Sequence, residues 1–282
     1  MSAAAVQSHA EGHPDLEKVN TAGDNSNGRT NAYDYGGHPM ARLHTGGEDR
    51  LAPFGGEFQP GLYRPVKERK FANPAPLGLS AFALTTFVLS LINLNARGVA
   101  APNVVLSLAF GYGGLVQLLA GMWEMAVGNT FGATALSSFG GFWIAYAILL
   151  TPGFAALGAY ETADEASVLG FFLAGWFIFT FILLILTLKS TVMFFLLFFT
   201  LDLAFLMLSC SEFAASNGNP SASLTLKHAG GGFGLLAAFL AWYNAFAGMA
   251  DHTNSFFLIP VIHFPWSEKG REARGKTARE TV

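Results

Sequence analysis

The chain has 282 residues, of which 52% are hydrophobic and only 12% charged, with 27 Phe and a formal net charge of −3. That charged share is about half the usual one for a soluble domain; it excludes an ordinary water-soluble fold, and the near-neutral balance argues against a nucleic-acid partner. A single cysteine excludes a disulfide framework and a cysteine-rich metal centre.

The leader comes first. Residues 1–70 hold 8 Lys/Arg and 9 Asp/Glu and are rich in Gly, Asn and His. Their scattered apolar residues keep no period, which predicts a disordered, solvated cytosolic tail. No apolar stretch lies near Met1, so no cleaved signal peptide is expected and the first hydrophobic helix directs insertion. Residues 251–282 hold 5 basic and 4 acidic residues and read as a second cytosolic tail. Between the tails, residues 71–250 carry only Arg97, Lys189, Lys227, Glu124, Glu161, Asp164, Glu165, Asp202 and Glu212. A charge at the bilayer centre costs about 3 kcal/mol on insertion scales, so this desert marks a transmembrane transport domain.

A bilayer core of about 30 Å needs about 20 apolar residues as a helix. Six stretches qualify: 77–94, 104–127, 131–150, 168–188, 192–210 and 231–250. Runs such as Phe177–Leu188 do not alternate as barrel strands would, so an all-α membrane protein of six helices is expected. Six crossings put both tails on one side. Arg64, Lys67, Arg69 and Lys70 precede the first span, and Lys269, Arg271, Arg274, Lys276 and Arg279 follow the last. Positive charge marks the cytosolic side. The opposite face takes Arg97, Lys227 and the acidic loop Glu161, Asp164, Glu165.

Glycines crowd span two (Gly111, Gly113, Gly114, Gly121) and the start of span six (Gly230, Gly231, Gly232, Gly234). Small residues let helices approach closely in lipid, within a protomer or between protomers. The Gly230–Gly234 cluster lacks the preceding strand and acidic partner of a dinucleotide loop. His228, His252 and His263 show no metal-ligand spacing, and no Ser/His/Asp arrangement is supported by a motif. No enzyme activity, metal or cofactor is therefore expected.

Polar residues inside the spans carry the functional questions. Asp202 lies near the middle of span five, either as a proton-titrating or substrate-facing carboxylate or as a structural acid at a helix contact. Glu124, beside Trp123, either reaches the interface, couples protons, or steadies the broken backbone at Gly128–Asn129–Thr130. Gln117, two turns earlier, is placed to pair with a carboxylate or a neighbouring helix. Among the aromatics, Phe82, Tyr112, Phe139, Trp143, Trp242 and Tyr243 are candidates to line a narrow path.

At the head of span one stands Asn73-Pro74-Ala75-Pro76-Leu77-Gly78-Leu79. Further on come Gly128-Asn129-Thr130-Phe131-Gly132 with Phe139-Gly140-Gly141-Phe142-Trp143, then Leu201-Asp202-Leu203-Ala204-Phe205, Ala238–Asn244, and His263-Phe264-Pro265-Trp266. Over roughly residues 71–267 the chain resembles the acetate uptake transporter family, which includes fungal acetate/ammonia transporters and bacterial succinate–acetate permeases. The resemblance implies a hexamer with a substrate path through each protomer and a hydrophobic constriction at Phe82, Phe139 and Leu201. Many relatives carry Tyr at the middle position, so Phe139 makes this gate more apolar. Ala241 matches a position tied to selectivity in relatives.

The residues themselves agree with such a path. Prolines start helices well, and Asn73 is placed to cap span one, leaving a positive helix end at the cytosolic mouth that suits a carboxylate. Asn129 and Thr130 are placed to do the same for span three. Thr85, Tyr112, Gln117 and Tyr243 are expected to replace water around the substrate carboxylate. The function expected is a plasma-membrane, proton-linked transporter or channel for acetate and similar short monocarboxylates. Ammonium export is the alternative, with Glu124, Asp202 and aromatic faces serving a cation. A membrane sensor or scaffold is a third reading.

Overall fold

In the computed structural model residues 71–280 are described, and both the leader expected over residues 1–70 and residues 281–282 lie outside them. Most of the membrane helices begin at a cap or a proline. α1 (Ala75–Asn93) has Pro74 at its N-cap and Pro76 in its first turn, where a missing N–H costs nothing. The Asn73 side-chain oxygen accepts the Ala75 N–H at 3.1 Å. A loop containing left-handed Asn95, Arg97 and Gly98 leads to α2 (Asn103–Phe110), a π-helical turn (Gly111–Val116) and α3 (Gln117–Ala126). These three form one continuous crossing, Asn103–Ala126. Next come α4 (Thr130–Leu150), α5 (Thr162–Leu186), α6 (Val192–Ser216) and α7 (Pro220–Met249), with a polar α8 (Glu268–Glu280) at the end.

Among the described residues, six helices are thus long and apolar enough to cross a membrane, as the hydropathy pattern predicts. Their ends differ from that reading. α5 starts six residues earlier than 168, α6 runs on to Ser216, and α7 starts at Pro220 rather than near 231. Local capping outweighs hydropathy there. Asp164 and Glu165 fill the first turn of α5, where acidic groups complement the helix dipole. The extensions carry Glu165, Glu212 and Lys227 on helices, not on the loops expected for Lys227 and the acidic group.

Two hairpins share one design. At Gly128 (φ 86°) and Gly218 (φ 70°) the chain turns left-handed, which glycine does without strain. The following asparagine N–H then reaches back to the helix, Asn129 to the Glu124 carbonyl and Asn219 to the Ala214 carbonyl, both at 2.9 Å. That is the Schellman closure. The same asparagine caps the next helix: Asn129 Oδ1 accepts from Gly132 N at 2.8 Å, and Asn219 Oδ1 from Ala222 N at 3.1 Å. A two-residue signal so closes one helix and opens another.

α6 packs most extensively against α7 and α5, α1 against α7, and α3 against α4. Aromatic contacts close the ring between α4 and α5: Trp176 lies 6.0 Å from Phe139 and 5.1 Å from Phe142, centroid to centroid. The span-six glycines serve packing within the protomer. A Cβ on Gly231 would lie 3.0 Å from the Ser90 carbonyl oxygen, and one on Gly230 would lie 2.7 Å from Leu208 Cγ. Gly248 lies beside Asn73 and Pro76, so the start of α1 and the end of α7 share one face, called here the tail face.

The segment after α7 folds back onto that face. Asp251 accepts from the Thr253 and Asn254 N–H groups and the Thr253 hydroxyl, and these bonds hold its carboxyl below the usual range. Val192 N donates to the Ile262 carbonyl at 2.9 Å, and Trp266 Nε1 donates to the Leu188 carbonyl at 2.8 Å. Phe264 packs edge-on to Phe195 with centroids 5.5 Å apart. Within the segment read as a C-terminal tail, Ile262 to Trp266 therefore strap the α5–α6 turn.

Candidate functional site

The centre of the bundle is aromatic because the helices that meet there supply Phe at helical spacing. Phe82 of α1 and Phe139 of α4 touch with ring centroids 6.0 Å apart. Phe139 is also ringed by Trp176, Phe179, Phe198 and Phe205. Leu201 of α6 belongs to the same cluster, and all three residues are at most 5% exposed.

An open cavity, about 810 Å³ with the solvent at its mouth included, runs from this plug toward the face opposite the tails. Phe82 and Leu201 line its deep end, with Phe139 behind Phe82. Its walls follow single helix faces. α1 contributes Phe82, Thr86, Ser90 and Asn93; α6 contributes Leu201, Ala204, Phe205, Leu208 and Glu212; α7 contributes Lys227, Gly230 and Gly234. Positions three, four, seven and eleven residues apart share a helix face. α4 adds Phe142, Trp143 and Tyr146.

Two polar atoms stand out in this lining. Thr86 Oγ1 and Trp143 Nε1 are buried and have no hydrogen-bond partner among the described residues. Buried polar groups are normally satisfied, so each keeps an unused hydrogen-bonding capacity in the wall of the cavity. Both lie one turn from the plug, Thr86 four residues past Phe82 and Trp143 four past Phe139. A carboxylate resting on the plug would find a hydroxyl and an indole N–H at its level, which is how charge-assisted hydrogen bonds replace water.

Other residues singled out from the sequence lie elsewhere. Thr85 donates to the Ala81 carbonyl at 2.9 Å and abuts Gly113 at the contact of α1 with span two. One position separates it from the cavity residue Thr86. Tyr112 is half-buried in the π-helical turn, and Ala241 is buried in the core. The Tyr243 hydroxyl donates to the Pro260 carbonyl at 2.8 Å and so ties down the returning tail. Asp202 is buried one position off the cavity face of α6, and its Oδ1 has no partner among the described residues. Trp242 meets Phe87 and Phe239.

A second polar cluster sits on the tail face. Glu124 is fully buried, and its Oε2 accepts from Asn129 Nδ2 at 2.7 Å. Asn129 in turn caps α4 through Gly132, while Thr130 is exposed in the first turn. Two turns up, Gln117 is fully buried with neither amide atom partnered among the described residues. Asn73, at the same face, spends its side-chain oxygen on the α1 cap.

Six crossing helices around a cavity that stops at an apolar plug define a membrane-transport architecture. The chain matches the GPR1/FUN34/yaaH family over residues 54–266 and belongs to that family. It is 65% identical over 255 residues to acetate permease A of Emericella nidulans, covering 88% of this chain and 85% of that one. It is 48% identical to ammonia transport outward protein 2 of Saccharomyces cerevisiae, over 89% of this chain and 84% of that protein. The structure of the bacterial acetate channel SatP aligns with a TM-score of 0.55 at 35% identity, covering 62% of this chain and 91% of that one. The family resemblance read from Asn73–Leu79 and the later motifs is borne out.

Proposed function

We propose that the protein moves acetate and similar short monocarboxylates across the plasma membrane, linked to protons, as a hexamer with both tails in the cytosol. The observation that carries this reading is the pair of open donors, Thr86 Oγ1 and Trp143 Nε1, beside the plug. The names of the acetate permease and acetate channel relatives support the substrate. The tail face holds Lys189 and the basic C-terminal residues, in keeping with positive-inside orientation. Wide apolar exposure along span two and α5, including Leu115, Leu119, Met122, Phe171, Ile178 and Ile182, offers surface for lipid and neighbouring protomers.

A carboxyl group titrates near 4, so acetate is mostly anionic at neutral pH. Burying that anion unpaired is prohibitive, and an inside-negative potential opposes its entry by about 2.3 kcal/mol per 100 mV. Donors at the plug offset the first cost, and proton linkage offsets the second. Phe82, Phe139 and Leu201 exclude larger or strongly hydrated solutes. Asp202 and Glu124 are the buried carboxylates available to carry the proton.

Labelled-acetate flux into liposomes tests the reading; flux no greater than in empty vesicles overturns it. Trp143→Phe keeps an aromatic side chain there, smaller and without the N–H, and is expected to raise KM for acetate roughly tenfold or more, the worth of one hydrogen bond to a charged group. Phe139→Ala opens the plug and is expected to admit longer monocarboxylates that the unaltered protein rejects. Unchanged size discrimination in that variant would remove the plug from the substrate path. The ammonia-transport name of one relative favours a second reading. Ammonium flux without acetate flux in one preparation would select it.

A further inference from the structure

The cavity mouth holds the one lysine, among the described residues, placed inside a span away from the tail face. Lys227 lies seven residues into α7, about 10 Å along the axis from Pro220 at 1.5 Å per residue. It lines the cavity and is half-buried. Across from it on α6 stands Glu212, also a wall residue and electrostatically coupled to it. Glu165 of α5 and Tyr146 of α4 are the other titratable groups acting on this site. A lysine within an apolar span is costly unless it faces water or a partner, and a solute that passed only as the neutral acid would need no cation here.

We propose that Lys227 is an anion-capture site at the cavity mouth, and that Glu212 is the counter-charge on the facing wall, with which the incoming carboxylate competes and which later drives that carboxylate off. The site takes small organic carboxylates, and rests on the transport reading above. A single cation in a narrow cleft with low-dielectric walls concentrates anions at its mouth. A lone cation would also trap them, and throughput needs binding weak enough to release. Glu212 supplies that release by competing for the same ammonium. The pair therefore divides the work: Lys227 sets capture and Glu212 sets turnover. Thr86 and Trp143 lie deeper and act after capture.

The test is initial-rate acetate uptake in proteoliposomes at low ionic strength. Lys227→Gln is expected to raise KM about tenfold, the low end of focusing effects, with Vmax little changed; Lys227→Arg keeps the charge and keeps KM. Glu212→Gln is expected to lower KM and lower Vmax together. A Lys227→Gln variant with normal KM, beside an unaltered protein that transports acetate, overturns the capture site and leaves the transport reading standing. Absence of flux in the unaltered protein overturns the transport reading instead. A second measurement works without any variant. Acetate should slow acylation of Lys227 by a membrane-impermeant amine reagent, read by peptide mass, and equal rates with and without acetate overturn the site.

Discussion

Gly140→Val is expected to abolish the folded protein, whereas Gly141→Val one residue along should be tolerated. A Cβ on Gly140 would lie 2.7 Å from the Leu118 backbone nitrogen and 2.8 Å from its Cα, while one on Gly141 meets nothing within 4 Å. Three residues away on each helix, Gly121 presses against the Ser137 backbone. α3 and α4 therefore cross antiparallel with main chain against main chain. A flexible side chain could yield to an added methyl; a helix backbone yields only by moving the whole helix. Ordinary overpacking costs about 1–3 kcal/mol, and this contact, with no side chain to absorb it, should exceed about 4 kcal/mol. Yield of monodisperse protein and thermal melting in detergent measure both variants. Equal losses at the two positions would mean that this crossing is not the reason.

The second large effect is expected at Asn129. Asn129→Ala removes the hydrogen bond to a fully buried carboxylate, Glu124, and the cap of α4 in one stroke. A hydrogen bond to a charged group is worth about 1.5–3 kcal/mol and a cap about 1 kcal/mol. The variant should lose about 2–4 kcal/mol. Glu124→Gln alone should be milder, because its amide oxygen still accepts from Asn129. In the Glu124→Gln background the Asn129→Ala penalty should shrink, to the cap plus one hydrogen bond between neutral groups. A double-mutant cycle on melting free energies checks this. Strict additivity would show that the two side chains do not act together.

Helix number, order and family were legible from hydropathy, charge placement and short motifs, because lipid makes each of these a strong constraint. The apolar plug was legible through resemblance, in the pairing of Phe82 with Phe139. Of the donors above it, Trp143 was among the aromatics read as path-lining and Thr86 was not, although its signal lay in the sequence. Thr86, Ser90 and Asn93 recur at helical spacing from Phe82, and Glu212 lies eleven residues beyond Leu201. Thr85 and Asp202 drew attention as buried polar residues, yet each falls one position, about 100° of rotation, from its helix's cavity face. Hydropathy alone sees depth and not azimuth. Lys227 and Glu212 were set aside for another reason. A window that rewards apolar residues ends a span too early where the helix runs on beside the cavity mouth.

The π-helical turn at Gly111–Val116 has a consequence for how span two evolved. Such a turn holds one more residue than the α-helix around it. Every side chain after it is therefore phased about 100° away from where an unbroken helix would aim it. Removing a single residue from this turn would reset the phase. Gln117, Gly121 and Glu124 would swing off their neighbours while the hydrophobic content of the crossing stayed the same. The membrane would accept that shortened helix as readily as the original; the protein would not.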